Sequence, residues 1–308
     1  MNLRPVLSHV CSALACLALV LALVCLANPH RPLFYLIDIF TLPGLTGAAI
    51  LAAVLWAARM TPARWIAMAA AALFVLAIWP QAFPRQPAGD HSHPPLRLVF
   101  ANLLIRNQHP EKILPWIAKE NPDVVALVEV NPFARQTLMD TLSHDRPFVV
   151  TRYDMVVASR YPLSDLRRGG VGFSLMTMTV KAPGGDIALA VTHLTRPWPF
   201  SDPADQPRQL NRLSSALAPI SSRRFVLAGD FNTPPCASGL GDFLRQRNLH
   251  AAGALGGTWI SFLPGPLRIN IDNAMASPDL NLSHHRVGPL DGSDHRPIAV
   301  DIYPARIN

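Results

Sequence analysis

Four short stretches of this 308-residue chain carry groups able to act together on a phosphate ester. Asn102 follows an apolar run. Glu129 closes Val124-Val125-Ala126-Leu127-Val128. The other two stretches are Gly229-Asp230-Phe231-Asn232 and Gly292-Ser293-Asp294-His295-Arg296-Pro297. Each sets a carboxylate, amide or imidazole at the end of a segment that reads as a buried strand. Phosphoester hydrolysis with a divalent cation needs those groups: carboxylates to hold the metal, one carboxylate to align or deprotonate water, and imidazole to offset charge on phosphoryl oxygens.

Each group also has a plainer reading. Asp230 and Asn232 at positions i and i+2 of extended backbone would share a face, yet Asp and Asn are common in turns after strands. An ionised Glu129 inside an apolar run is costly unless it meets a cation or a donor; a metal and an arginine ion pair answer that equally well. Asn102 would orient a metal ligand or a phosphate, or make a structural hydrogen bond. His193, after Thr192, carries little weight alone. Asp294 and His295 are adjacent, so extended backbone would point them to opposite sides, one toward metal and the other toward phosphate. Asp272, after Arg268-Ile269-Asn270-Ile271, is a candidate to orient His295 and set its tautomer.

The elements that must position these groups are legible from apolar runs. Strands are expected over 96–105, 123–130, 155–158, 173–180, 187–194, 225–228, 269–276 and 297–302. Helices are expected over 111–119, 132–142, 206–218 and 240–248. Many strands with interspersed helices suggest an α+β or mixed-sheet α/β sandwich rather than an alternating parallel sheet.

Upstream the chain changes character. Residues 10–27 are apolar and uncharged, long enough to span a bilayer, and further apolar runs follow over 42–58 and 65–79. A cleaved signal peptide would explain only the first, so residues 1–79 are expected to form a membrane segment of three helices. Arg59 and Arg64 lie between the second and third runs, on the side of Arg4 and the amino terminus; Arg31 and Asp38 lie on the other. The positive-inside rule then orients the segment as a multi-pass inner-membrane anchor with residues after 80 outside the cytoplasm. Residues 80–95 contain five prolines and read as an extended linker, leaving 96–308 as the catalytic domain.

Residues 90–308 hold 22 basic and 19 acidic residues, a net charge of +3. That mild excess suits an anionic substrate without implying nucleic acid. Cys236 is the one cysteine after the apolar runs, so no disulfide or paired-cysteine zinc site forms there. Phe173-Ser174-Leu175 lacks the glycines of a serine-hydrolase elbow, and Gly169-Gly170-Val171-Gly172 lacks a phosphate-loop lysine.

Taken in order, Asn102, Glu129, His193, Asp230-x-Asn232, Asp272 and Asp294-His295 closely resemble the endonuclease/exonuclease/phosphatase superfamily, the deoxyribonuclease-I-like fold. Ser159-Arg160-Tyr161-Pro162 and Thr258-Trp259 are similar to further segments of it. The resemblance runs from about Leu96 to Ile302. It implies a four-layer sandwich of two mixed β-sheets flanked by helices, with Mg²⁺ (or Mn²⁺) as cofactor. It also implies Glu129 as principal metal ligand with Asn102 and Asp294 nearby, and Asp230 as the residue that activates water. Asn232 would orient Asp230 and contact phosphate, His193 and His295 would stabilise the phosphate, and Asp272 would support His295. Asn273 and Ala101 depart from residues frequent in the family, and neither removes one of these roles.

The resulting expectation is a membrane-anchored phosphodiesterase or endonuclease, with a phospholipid or small-molecule phosphatase, or a non-catalytic tethered module, as alternatives. Its expected partners are a phosphoester substrate, whether nucleic acid or lipid, and the lipid bilayer. No protein partner is indicated. Arg160, Arg167, Arg168, Arg196 and Arg208 are candidates to bind a nucleic-acid backbone, and Trp198 and Phe200 to enter a bilayer or stack on a base.

Overall fold

A computed structural model describes residues 3–29, 31–197, 202, 204–254 and 256–306; Trp198 and Phe200 lie outside the described residues. Four helices come first: α1 (Leu3–Ala27), α2 (Pro32–Asp38), α3 (Thr41–Ala57) and α4 (Ala63–Ala82). Next come β1 (Leu96–Asn102), α5 (Leu114–Glu120), β2 (Val124–Val128), α6 (Pro132–Ser143), β3 (Phe148–Arg152), β4 (Met155–Ser159), β5 (Leu163–Gly169), β6 (Ser174–Val180) and β7 (Ile187–His193). The chain ends with α7 (Asp205–Leu217), β8 (Phe225–Asp230), α8 (Ser238–Arg247), β9 (His250–Ala251), β10 (Asp272–Ala276), β11 (Leu280–Val287) and β12 (Ile298–Pro304).

Two six-stranded mixed sheets form, in the orders β11-β12-β1-β2-β4-β3 and β5-β6-β7-β8-β10-β9. The inner faces meet in one apolar core, where Leu98, Phe100, Val124 and Val128 oppose Met176, Val191, Val226 and Ala228. Outside the first sheet, Val99, Val125 and Leu127 pack on Trp116 and Ile117 of α5 and Leu138 of α6. Outside the second, Ala190 and Leu227 pack on Leu213 of α7 and Phe243 of α8. Strands buried on both faces must be apolar throughout, which is why β2 and β8 read as continuous apolar runs, whereas β6 alternates Met176, Met178 and Val180 with Thr177 and Thr179. The expected four-layer sandwich is the observed one.

Register brings the polar strand ends into line. In the first sheet β1 and β2 run parallel, pairing Asn102 with Val128, so Glu129 emerges beside Asn102. In the second sheet β7 and β8 also run parallel and pair His193 with Asp230. Antiparallel β10 adds Asp272 opposite Asp230.

The N-terminal helices make a bundle of unusual polarity. Ala15 and Ala22 of α1, Ala48 and Ala52 of α3, and Ala63, Ala67 and Ala70 of α4 are buried. Leu14, Leu17, Leu23, Ile50, Val54 and Leu76 point outward. Two described helices, Val6–Ala27 and Ala63–Ala82, are long and apolar enough to cross a membrane, and Thr41–Ala57 is shorter.

Bundle and sandwich are docked. Asp38 Oδ2 accepts hydrogen bonds from the backbone N–H (2.8 Å) and hydroxyl (2.7 Å) of Ser238, capping α8 from a distant part of the chain. The Thr46 hydroxyl donates to the Pro266 carbonyl at 2.7 Å. Residues 80–95, expected as an extended linker, are in part helical and in part bound to the sandwich. Helix α4 runs through Pro80 to Ala82, the proline falling in its last turn. Beyond it, Asn281 Nδ2 donates to the Pro87 carbonyl, Leu282 N–H to Gln86 Oε1 and Asp90 N–H to the Pro304 carbonyl. The segment is a strap along β11 and β12.

Gly229 shows how tightly the site end is built. A Cβ there would lie 2.3 Å from the Thr192 carbonyl oxygen on β7, so only glycine admits this approach. Gly229→Ala is expected to lower unfolding free energy by about 2 kcal/mol, measured by denaturant titration, and to lower turnover by displacing Asp230. An unchanged midpoint with normal activity would refute the constraint.

Candidate active site

The polar strand ends meet over one cleft of about 280 Å³, lined by Glu129, His193, Asp230, Asn232 and His295 with Phe173 and Arg196. That space is large enough for a phosphate group and a small hydrated cation.

Asn102 ties the two sheets together. Its amide nitrogen donates to Glu129 Oε1 and to Asp230 Oδ2, both at 3.0 Å, while its carbonyl oxygen accepts from Leu104 N–H at 2.9 Å. Glu129 Oε2 also accepts from Ile105 N–H at 3.0 Å. Glu129 and Leu104 both have left-handed backbone, φ 52° and 58°. Such conformations are uncommon outside glycine and cluster where a side chain must be re-aimed. Burial pushes the Glu129 carboxyl up, but His193, the Asn102 amide and the Ile105 N–H outweigh it and leave it below the usual range.

His295 is held from both sides. Its Nδ1 lies 2.9 Å from Asp272 Oδ2, and its Nε2 lies 3.8 Å from both Asp230 Oδ2 and Asp294 Oδ1. Asp272 N–H donates in turn to the Thr258 hydroxyl at 3.2 Å. Burial alone would lower the His295 pKa, but the Asp272 and Asp230 carboxylates push it up to about 10. Burial raises Asp230 to about 6, with repulsion from Asp272 adding to it and His295 and His193 opposing. His193 Nε2 lies 3.5 Å from Glu129 and 3.7 Å from Asp230.

Two local expectations change. Asn232 has left-handed backbone (φ 50°) rather than extended. Its backbone N–H, not its side chain, donates to Asp230 Oδ1 at 2.8 Å, and its amide nitrogen donates to the Leu194 carbonyl at 2.8 Å. Asp294 and His295 lie on a bend rather than a strand, so their side chains converge, His295 Nε2 lying 3.8 Å from Asp294 Oδ1. Trp259, noted only for its likeness to a family segment, donates from Nε1 to Asp294 Oδ2 at 3.0 Å. Arg196 lies over the Trp259 ring at 5.4 Å and reaches to 4.0 Å from Asp294. The other arginines do not gather there. Arg160 pairs with Asp123 at the opposite end of β2, Arg208 pairs with Asp205, and Arg168 donates to the Thr151 carbonyl.

The donor set fits a divalent cation. Glu129, Asp230, Asp272 and Asp294 crowd one site, and Asp294 Oδ1 is buried without a hydrogen-bond donor among the described residues. Asp230, Asp272 and His295 also satisfy the geometry of a metal cluster. There, however, the imidazolium already offsets the two acids. Among the described residues Glu129 and Asp294 offer further carboxylate oxygens, donors that suit a hard divalent cation.

A model of the Endonuclease/Exonuclease/phosphatase family matches residues 99–295. No curated protein matches the chain. Among solved structures, an endonuclease/exonuclease/phosphatase from Beutenbergia cavernae is 21% identical, with TM-score 0.55 over 69% of this chain and 72% of that one. TDP2 of D. rerio, complexed with a single-strand DNA product, is 16% identical, with TM-score 0.55 over 67% and 98%. A beta toxin mutant from Staphylococcus aureus, with bound magnesium ions, is 15% identical, with TM-score 0.53 over 67% and 99%. At these identities the likeness is one of fold.

Removing the Asp272 charge should return the His295 pKa from about 10 toward its ordinary 6.5. Protonation of His295 stabilises the fold fully below 6.5, and the stabilisation is lost as pH rises through the folded value. Asp272→Asn narrows that window from the alkaline side. NMR titration of the His295 ring would show it; an unmoved midpoint would contradict the pairing.

Proposed function

Because the chain belongs to the endonuclease/exonuclease/phosphatase family, we propose that it is a divalent-metal-dependent phosphoester hydrolase, in particular a phosphodiesterase, anchored in a membrane by residues 1–79. The observation that carries the reading is convergence: Glu129 and Asn102 from the first sheet lie within hydrogen-bonding or ion-pair distance of Asp230 and His193 from the second.

In this reading Asp230, with a pKa near 6, takes the proton of an attacking water. Asn102 and the Asn232 N–H hold its oxygens so that one lone pair faces the cleft. The water's oxygen bonds to phosphorus and the P–O bond to the leaving group breaks in line. His295, kept cationic by Asp272, and His193 offset charge on the phosphoryl oxygens. Glu129 and Asp294 would hold Mg²⁺ or Mn²⁺, with Asn102 orienting Glu129; the ion supplies Lewis-acid stabilisation of the phosphate.

The anchor reading rests on the bundle. Alanines at most of the helix contacts, with Leu55, Phe74 and Ile78 filling between them, and leucine and valine outside is a packing expected where lipid, not water, surrounds the helices. Trp56 and Trp65 cluster with Arg64 at one end of the bundle, and Trp79 and Phe83 at the other, as interfacial belts do. Arg59 and Arg64 mark the cytoplasmic end, which leaves the catalytic domain of residues 96–308 on the extracytoplasmic side of an inner membrane, joined by the strap 80–95.

The full chain in detergent should hydrolyse bis(4-nitrophenyl) phosphate with Mg²⁺, stop with chelator and restart on adding Mg²⁺ or Mn²⁺. Asp230→Asn should cost about 100-fold or more in kcat. Folded protein that turns over neither this diester, an oligonucleotide nor a phospholipid would instead be a binding scaffold.

The pH profile has a worked sign. Asp230 must be ionised, so the rate rises through about 6. His295 must be protonated, so the rate falls through about 10. A profile of kcat/KM that lacks the alkaline limb would remove the imidazolium from the mechanism.

A further inference from the structure

The loop from Trp259 to Ile269 closes at its base through a bridge between those two residues. Its tip, Phe262-Leu263-Pro264-Gly265-Pro266-Leu267, carries no charge. Phe262 is 70% exposed, and Pro264, Pro266 and Leu267 are exposed beside it. An apolar tip facing water is costly in an isolated soluble domain.

The tip lies against the membrane bundle. Pro266 accepts its hydrogen bond from Thr46, five residues into α3. Helix α3 has 17 residues, about 25 Å at 1.5 Å per residue, already short of a hydrocarbon core of about 30 Å. Thr46 is therefore about 7 Å inside the end of a helix with no length to spare. A loop meets that residue in a bilayer only by entering the interfacial layer itself.

The same loop walls the active site. Trp259, at its base, donates to Asp294 and lies under Arg196. Ile39 and Phe40, the two residues before α3, share one small apolar pocket with Trp259, Arg196 and Asn232. Phe40 is itself 40% exposed. The mouth of the cleft and the end of the bundle thus line one shared pocket.

Building on the hydrolase and anchor readings above, we propose that residues 260–267 insert into the leaflet facing the catalytic domain, and that the substrate is a phosphodiester carried by a membrane lipid. The apolar tip and Phe40 seat among acyl chains near the headgroups. Arg196 and the cleft then lie at phosphate depth, so a lipid's diester enters the site without leaving the bilayer. Nucleic acid fits less well, since Arg196 alone of the five candidate arginines touches the described site.

The test uses the full chain reconstituted in vesicles of phosphatidylcholine, phosphatidylglycerol and phosphatidylinositol, with bis(4-nitrophenyl) phosphate and a single-stranded oligonucleotide as soluble substrates. Phe262→Asp should lower kcat/KM on vesicle lipid about tenfold or more, the effect of losing one buried aromatic, and leave the soluble diester within about twofold. Independently, a fluorophore on Phe262→Cys, with the four native cysteines replaced by alanine, should be quenched by brominated acyl chains. Equal losses on lipid and soluble diester, or quenching by aqueous iodide alone, would overturn the proposal. Cleavage of the soluble diester or oligonucleotide with vesicle lipid untouched would overturn it while leaving the phosphodiesterase reading standing. Hydrolysis of none of the three would remove that reading as well.

Discussion

The pairing of His295 with Asp272 is the interaction on which the rest of the site depends. Both side chains are almost wholly excluded from water. A lone carboxylate or imidazolium at that depth is strongly disfavoured, and each is tolerable only because the other is there. The pair leaves His295 Nε2 as a positive pole beside Asp230. That pole keeps Asp230 ionisable near neutrality despite its own burial. Asp230 in turn accepts from Asn102, and Asn102 positions Glu129. One buried charge pair, between Asp272 at the start of β10 in the second sheet and His295 in the loop before β12 of the first, thereby sets the arrangement of Glu129 at the end of β2.

The fold supplies this with little machinery. Two parallel pairs, β1–β2 and β7–β8, end side by side, and each offers a carboxylate just where its second strand stops. Parallel neighbours present their carboxyl ends on the same edge, so polar groups added there converge without long loops. The left-handed residues Glu129 and Asn232 turn the chain immediately afterwards.

How much of this the residues alone reveal depends on where each element lies. The eight inner strands, β1, β2, β4, β6, β7, β8, β10 and β12, all coincide with apolar runs, because burial on both faces demands them. The four that escape are the sheet edges β3, β5, β9 and β11. Edge strands pack on one side only and tolerate charge: β5 reads Leu-Ser-Asp-Leu-Arg-Arg-Gly and is mostly exposed. The same logic governs the site. Asp230 and Glu129 stand out because they interrupt apolar runs. Trp259 and Arg196 sit in loops with no periodicity and become visible only through their contacts with Asp294. The common direction of Asp294 and His295 was equally hidden, since it comes from a bend that adjacent letters do not encode.

The strap over residues 86–90 also bears on how such a molecule finds its target. A proline-rich leash left free would let the head sweep a hemisphere of solution. Residues 86–87 are pinned to β11, and Asp38 of the N-terminal helices grips α8, so the sandwich and the helical bundle are held together at more than their chain connection. Under the proposed placement, encounters then arise from lateral drift within a sheet of lipid, and their frequency follows molecules per unit area rather than per unit volume.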